Sequence, residues 1–183
     1  MDLLRIDLYN EEIFVFTPAG DLIQLPIDST PVDFAFQVHT QVGMHCMGAK
    51  INHTVVPLNT KLKNGDMVEI ITSKKQMPSY GWQKFIVTTK ARNQVNRYLK
   101  KTHDEESVKL GKEILTKTLR RMKLMTEKDV LLKAFNRFGY ADERSLLIAI
   151  GTGVLTVREI FQKIRPKEEV EEIKENTNDD KFS

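Results

Sequence analysis

The residues able to do chemistry here are few: His39, His45, His53, His103 and a single cysteine, Cys46. Imidazole and thiol suit metal ligation, proton transfer or nucleophilic attack. The spacing argues against a metal, because His45 and Cys46 are adjacent and would point to opposite faces of a strand. Cys46 is expected to pack as a small apolar residue at a strand start. No nucleophile elbow, Walker loop, dinucleotide fingerprint or metalloprotease motif is present. Gly20, Gly43, Gly48 and Gly65 each fit a turn or a helix end rather than a phosphate-cradling loop. The expectation is no catalytic residue, no metal and no cofactor.

His39 stands apart from the others. The stretch from Thr30 to Gly43 reads as one short helix. Thr30 is the N-cap, Pro31 suits the first position, and Asp33 completes a capping box. Ala35, Val38 and Val42 give a buried face, and Gly43 supplies a left-handed terminator. His39 then falls in the last turn at the border of that face. It reads either as a partly buried helix-end histidine bonding a carbonyl, or as a contact residue offering an aromatic face, a donor and an acceptor.

A second candidate is electrostatic. The net charge of +3 conceals an asymmetry. Residues 11–72 hold three Lys and seven acids, residues 74–123 fourteen Lys/Arg and four acids, and residues 165–183 four Lys/Arg and seven acids. Lys90, Arg92, Arg97, Lys100, Lys101, Arg120 and Arg121 fall on expected helices. They form either a solvated face or a surface for polyanion phosphates, position-fixing rather than sequence-reading. Tyr80 and Trp82 are able to stack bases, although Trp82 suits a core.

The positioning elements follow from pattern. Strands are expected at 12–17, 21–25, 46–51, 54–56 and 67–72, with the helix above between the second and third. That order is an α+β, β-grasp (ubiquitin-like) arrangement with one helix on a small mixed sheet. It is too small to hold a deep cleft. Residues 1–10 read as a connector, 11–73 as the β-grasp domain and 74–81 as a linker. A small all-α domain over 82–165 and an acidic flexible tail over 166–183 complete the chain. Helices are expected at 82–88, 89–101, 104–122, 126–138, 142–150 and 156–164. One cysteine excludes an internal disulfide framework, no apolar run approaches a membrane span, and a cytoplasmic protein is expected.

Val15-Phe16-Thr17-Pro18, Gly20-Asp21, Ser29-Thr30-Pro31, Asp33-Phe34-Ala35, His39-Thr40, Cys46, Gly48-Ala49-Lys50, Val56-Pro57-Leu58 and Asn64-Gly65-Asp66 stand in fixed order and spacing. This pattern resembles the TGS domain of long RelA/SpoT homologues, the bacterial (p)ppGpp synthetase/hydrolases. It covers roughly residues 8–101, and the helices beyond look like those that follow in that family. TGS domains also occur in threonyl-tRNA synthetases and some GTPases, which lack the Trp-containing helical continuation. The resemblance implies a non-catalytic regulatory piece, because that family's catalytic centres lie in preceding domains without counterpart here. It further implies that His39, with Thr40, Gln41, Gly43 and Met44, contacts the free 3′ CCA end of uncharged tRNA on the ribosome. The competing reading is a protein-interaction module, packing on its own hydrolase/synthetase domains or binding acyl carrier protein.

Overall fold

The computed structural model describes residues 11–164, so the connector and tail expectations lie outside the described residues. The chain divides between Lys100 and Lys101 into two units.

In the first unit, β1 (Glu12–Phe16) and β2 (Leu22–Pro26) form an antiparallel hairpin. Alternation decides what each strand buries: Ile13, Val15 and Leu25 point into the core, whereas Phe14, Phe16 and Leu22 are exposed. β3 (Cys46–Ile51) pairs antiparallel with both β4 (Thr54–Val56) and β5 (Val68–Thr72). A parallel bridge between Phe16 and Met67 joins β1 to the start of β5. Asn52 and His53 link β3 to β4 with φ of 49° and 70°, the left-handed pair that a two-residue hairpin loop demands. The β-grasp-like expectation therefore holds, with strand bounds within a residue or so of those read from pattern.

The helix over the sheet departs from expectation. It is two helices, α1 (Pro31–Val38) and α2 (Thr40–Met44), broken at His39, whose φ of −162° and ψ of 142° are extended. Ala35 is fully buried but Val38 is exposed, so the expected apolar face is interrupted. Gly43 is not a left-handed terminator. It is buried inside α2, where an added Cβ would sit 2.3 Å from Cγ of Phe36. Close approach to that ring is what requires glycine.

The region expected as one short helix at 82–88 is a single 3-10 turn, Tyr80–Lys84. Trp82 and Ile86 are buried with Val32, Ala35, Phe36 and Cys46, and Ala91, Val95 and Leu99 join the same core. Residues 82–100 thus pack with the sheet unit, and the structural division falls later than the boundary placed at residue 82. The helices expected at 89–101 and 104–122 are one continuous helix, α3 (Thr89–Arg121). Lys101, Thr102 and His103 tolerate helical geometry, so the polar run that reads as a connection does not interrupt it.

In the second unit, Leu115 and Leu119 of α3 pack with residues of α4 (Lys128–Lys133), α5 (Glu143–Gly151) and α6 (Val157–Ile164). The expected 126–138 helix is split into α4 and flanking 3-10 turns, ended by Gly139 at φ 80°. Asp142 caps α5, accepting from Ser145 N at 2.7 Å. At the start of α6, Glu159 accepts from Thr156 N at 2.7 Å while Thr156 Oγ accepts from Glu159 N at 3.3 Å, a reciprocal capping box.

Candidate nucleic-acid contact site

His39 closes α1 and opens α2. Its backbone N–H donates to Ala35 O at 3.1 Å, completing α1. Its ring nitrogen Nδ1 accepts from Gln41 N at 3.1 Å, which caps α2. An accepting Nδ1 places the ring proton on Nε2 in the neutral imidazole. The residue is exposed rather than partly buried, and its extended backbone makes it the cap of α1 rather than part of the last turn. What it offers outward is an aromatic face and one N–H donor.

The neighbours divide by role. Gln41 is exposed and Thr40 half-buried, both within two residues of His39 in the chain, and the Gln41 amide bonds its ring. Gly43 is buried against Phe36, and Met44 packs on the core around Phe36 and Trp82. These two hold the corner rather than face solvent. His45 ends α2; its Nδ1 bonds Gln76 O at 2.9 Å, and Ser73 N donates to His45 O at 3.0 Å. Ser73 and Gln76 are thereby tied to His45 at the end of α2.

Asp33 holds the other end of α1, in a role that local sequence does not disclose. It is fully buried and its carboxylate accepts from Thr30 N (2.9 Å) and Thr30 Oγ (3.0 Å). It also accepts from Val87 N (3.0 Å), Thr88 N (2.8 Å) and Thr88 Oγ (2.8 Å). A buried carboxylate is tolerable only with such a complement of donors. The partners lie 54 and 55 residues away in sequence, beyond any capping pattern.

The basic residues Lys90, Arg92, Arg97, Lys100, Lys101, Arg120 and Arg121 are all exposed on α3. Arg92 is partly committed, donating to Ile86 O at 3.2 Å, and Lys101 lies 4.0 Å from Glu105. In the second unit Lys112, Glu113, Thr116, Lys117 and Arg120 line an open depression of about 550 Å³. Lys112 and Lys117 belong to the same charge run, and helical spacing is the signal that groups them with Arg120.

Cys46 is buried, and that burial pushes its thiol up to about 12, so it is neither a thiolate nucleophile nor a ready ligand. Among the described residues no group of three or more His, Cys, Asp or Glu is placed to hold a metal ion. No helix among them is long and apolar enough to cross a membrane.

The described residues thus form a small β-grasp-like sheet unit followed by a helical unit. Two family models match the chain: TGS domain over residues 13–72, and RelA/SpoT AH domain over residues 98–165. The chain is 43% identical over 171 residues to a guanosine-3′,5′-bis(diphosphate) 3′-pyrophosphohydrolase of Aquifex aeolicus, covering 93% of this chain and 24% of that protein. It is 38% identical over 174 residues to a GTP pyrophosphokinase of Myxococcus xanthus, covering 93% and 23%. A bifunctional (p)ppGpp synthase/hydrolase RelA of Mycobacterium tuberculosis is 39% identical over 170 residues, covering 90% and 23%. The chain carries a TGS domain and a RelA/SpoT AH domain and belongs to the RelA/SpoT family. It spans about a quarter of the length of the curated relatives it matches.

Proposed function

We propose that this chain is a non-catalytic regulatory module of a cytoplasmic stringent-response (p)ppGpp synthetase/hydrolase. Its TGS domain reads the free 3′ CCA end of uncharged tRNA on the ribosome and relays that state to the catalytic domains of the same enzyme. The observation that carries this reading is His39: exposed at a helix break, with Nδ1 occupied by Gln41 N–H. A ring so held presents a stacking face and an Nε2–H donor in a fixed orientation, as recognition of unpaired terminal nucleotides requires. Thr40 and Gln41 follow it in the chain. An amino acid esterified to the terminal ribose would add bulk against this corner, so discrimination is by exclusion. Exposed Lys90, Arg97 and Lys100 would supply phosphate attraction without sequence reading.

A second reading rests on the open depression where Lys112, Lys117 and Arg120 stand with Glu113 and Thr116; its excess of cations suits an acidic protein such as acyl carrier protein or an acidic face of the enzyme's own catalytic domains. Binding to deacylated and aminoacylated tRNA, followed by NMR shifts at low salt with His39→Ala alongside, separates the two. Shifts at 35–49 with deacylated tRNA, lost with aminoacyl-tRNA or the variant, are expected. Shifts confined to α3, equal for both tRNAs and abolished by salt, would refute the 3′-end reading.

A further inference from the structure

We infer that Asp33 is a positioning residue that couples the His39 corner to the start of α3, so that occupancy of one is felt by the other. The inference rests on the 3′-end reading for its ligand and on the Asp33 geometry for its mechanism. α1 is eight residues, with His39 as its C-terminal cap and Asp33 in its first turn. A helix that short, closed at both ends by hydrogen bonds, moves as one body. Asp33 is bonded at once to its own N-cap, Thr30, and to Val87 and Thr88. Thr88 in turn caps α3: Arg92 N donates to Thr88 O at 3.0 Å and Ala91 N to Thr88 Oγ at 3.3 Å.

One carboxylate therefore serves the N-termini of two helices. Both present unpaired N–H groups and a positive dipole end to it, which makes an anion the stable bridge. Phe36 adds a second, apolar contact: it lies under Gly43 of α2 and packs in the same core as Ala91 and Val95. A ligand that shifts α2 and the His39 ring must move α1, because Gly43 leaves no slack against Phe36. Moving α1 displaces the acceptor of the Val87 and Thr88 amides. The helix those amides begin runs on to Arg121, through the residues where the AH-domain match starts.

The test uses the full chain, hydrogen–deuterium exchange read by NMR, and an acceptor-stem minihelix RNA with a free 3′ CCA end. In the wild type, saturating RNA is expected to change exchange both at 39–44 and at the amides of Val87, Thr88, Ala91 and Arg92. Asp33→Asn keeps one acceptor oxygen but replaces the other by a donor. It should retain the response at 39–44 and lose that at Val87–Arg92, with RNA affinity weakened roughly two- to fivefold. Thr88→Val is a milder variant that removes one donor and one cap while leaving the Thr88 amide; it covers the case of an unfolded Asp33→Asn and should at least halve the α3 response. A wild-type response confined to 39–44 would overturn the coupling and leave 3′-end recognition intact. An undiminished α3 response in the folded variants would overturn the role of Asp33. No response at 39–44 would overturn recognition, and the coupling with it.

Discussion

Gly111→Ala sets helix propensity against packing, and the structure says which wins. Gly111 lies within α3, and replacing an interior glycine by alanine favours a helix by about 0.8–1 kcal/mol. On propensity alone the variant is more stable. An added Cβ, however, would lie 2.0 Å from the carbonyl oxygen of Leu147 in α5, where ordinary contact begins near 3.4 Å. Gly151 of α5 mirrors it, its Cβ position falling 2.0 Å from Ser107 O in α3. The obstructing atoms are backbone on both sides, so no rotamer change relieves the clash. The helices must separate by more than about 1 Å here, and a gap of that order forfeits a quarter to a half of each dispersion contact it opens. Leu115, Leu119, Leu146, Leu147 and Ile150 line the core that would open. Overpacking of this kind costs about 1–3 kcal/mol, which offsets the propensity gain and leaves a net loss of up to about 2 kcal/mol. Urea unfolding of the full chain, read at amides of 107–119 and 146–161, should show a lower midpoint for Gly111→Ala while the amides of residues 13–72 are unaffected. A raised midpoint would mean that α3 and α5 do not cross at these glycines.

His53→Gly should stabilise the first unit by about 0.5–1 kcal/mol, because His53 is exposed at φ 70° in a two-residue hairpin loop that favours Asn-Gly; a melt showing no gain or a loss would contradict the loop geometry. Cys46 should resist alkylation at pH 8 until the protein unfolds. Its thiol is held at about 12 in the folded state against an ordinary 9.0, so its contribution is present below pH 9 and declines as pH rises from there toward 12. Cys46→Ala should flatten that alkaline decline. Hydrogen bonds from Thr156 N and Oγ hold Glu159 below the usual carboxylate range of 4.5, and the Ser145 bond lowers Asp142 from 3.8. Their stabilisation is present above those ordinary values and is lost as pH falls through the lower folded ones. Glu159→Gln should therefore reduce the acid sensitivity of α6 amides near and below pH 4.

The first strand was legible because it carries its own period of two before a turn: Phe14 and Phe16 outward, Ile13 and Val15 inward, then Pro18 and Gly20; the others were marked by β-branched residues between turn residues. The cap at Thr30 was equally local. The break at His39 was not, because Val38-His39-Thr40 contains no Gly or Pro. Across that break Phe36 and Gly43 pack closely, a contact that periodicity does not encode. The continuity of α3 was hidden for the converse reason: a polar run at 101–106 looks like a connection, yet each residue tolerates helix and no cap outcompetes it. Asp33 was readable as the acidic member of a capping box. Its bonds to Val87 and Thr88 arise only once the chain has folded.

The break itself raises the question of whether His39 is there for its ring or for its cap. Asparagine answers it, since an Asn side-chain oxygen occupies an N-cap in extended backbone and accepts from the amide two residues on, as Nδ1 of His39 does from Gln41 N. His39→Asn should therefore leave α2 intact, with stability within about 0.5 kcal/mol of the wild type, whereas His39→Ala, lacking an acceptor, should lose about 1 kcal/mol. Both remove the aromatic face and the Nε2–H donor. If the ring reads the 3′ end, the two variants lose RNA binding equally although they differ in stability. If the residue serves only to shape the corner, His39→Asn binds like wild type and only His39→Ala is impaired. Equal binding by all three would place recognition elsewhere on the surface. The comparison works because the cap and the ring use different atoms of one side chain.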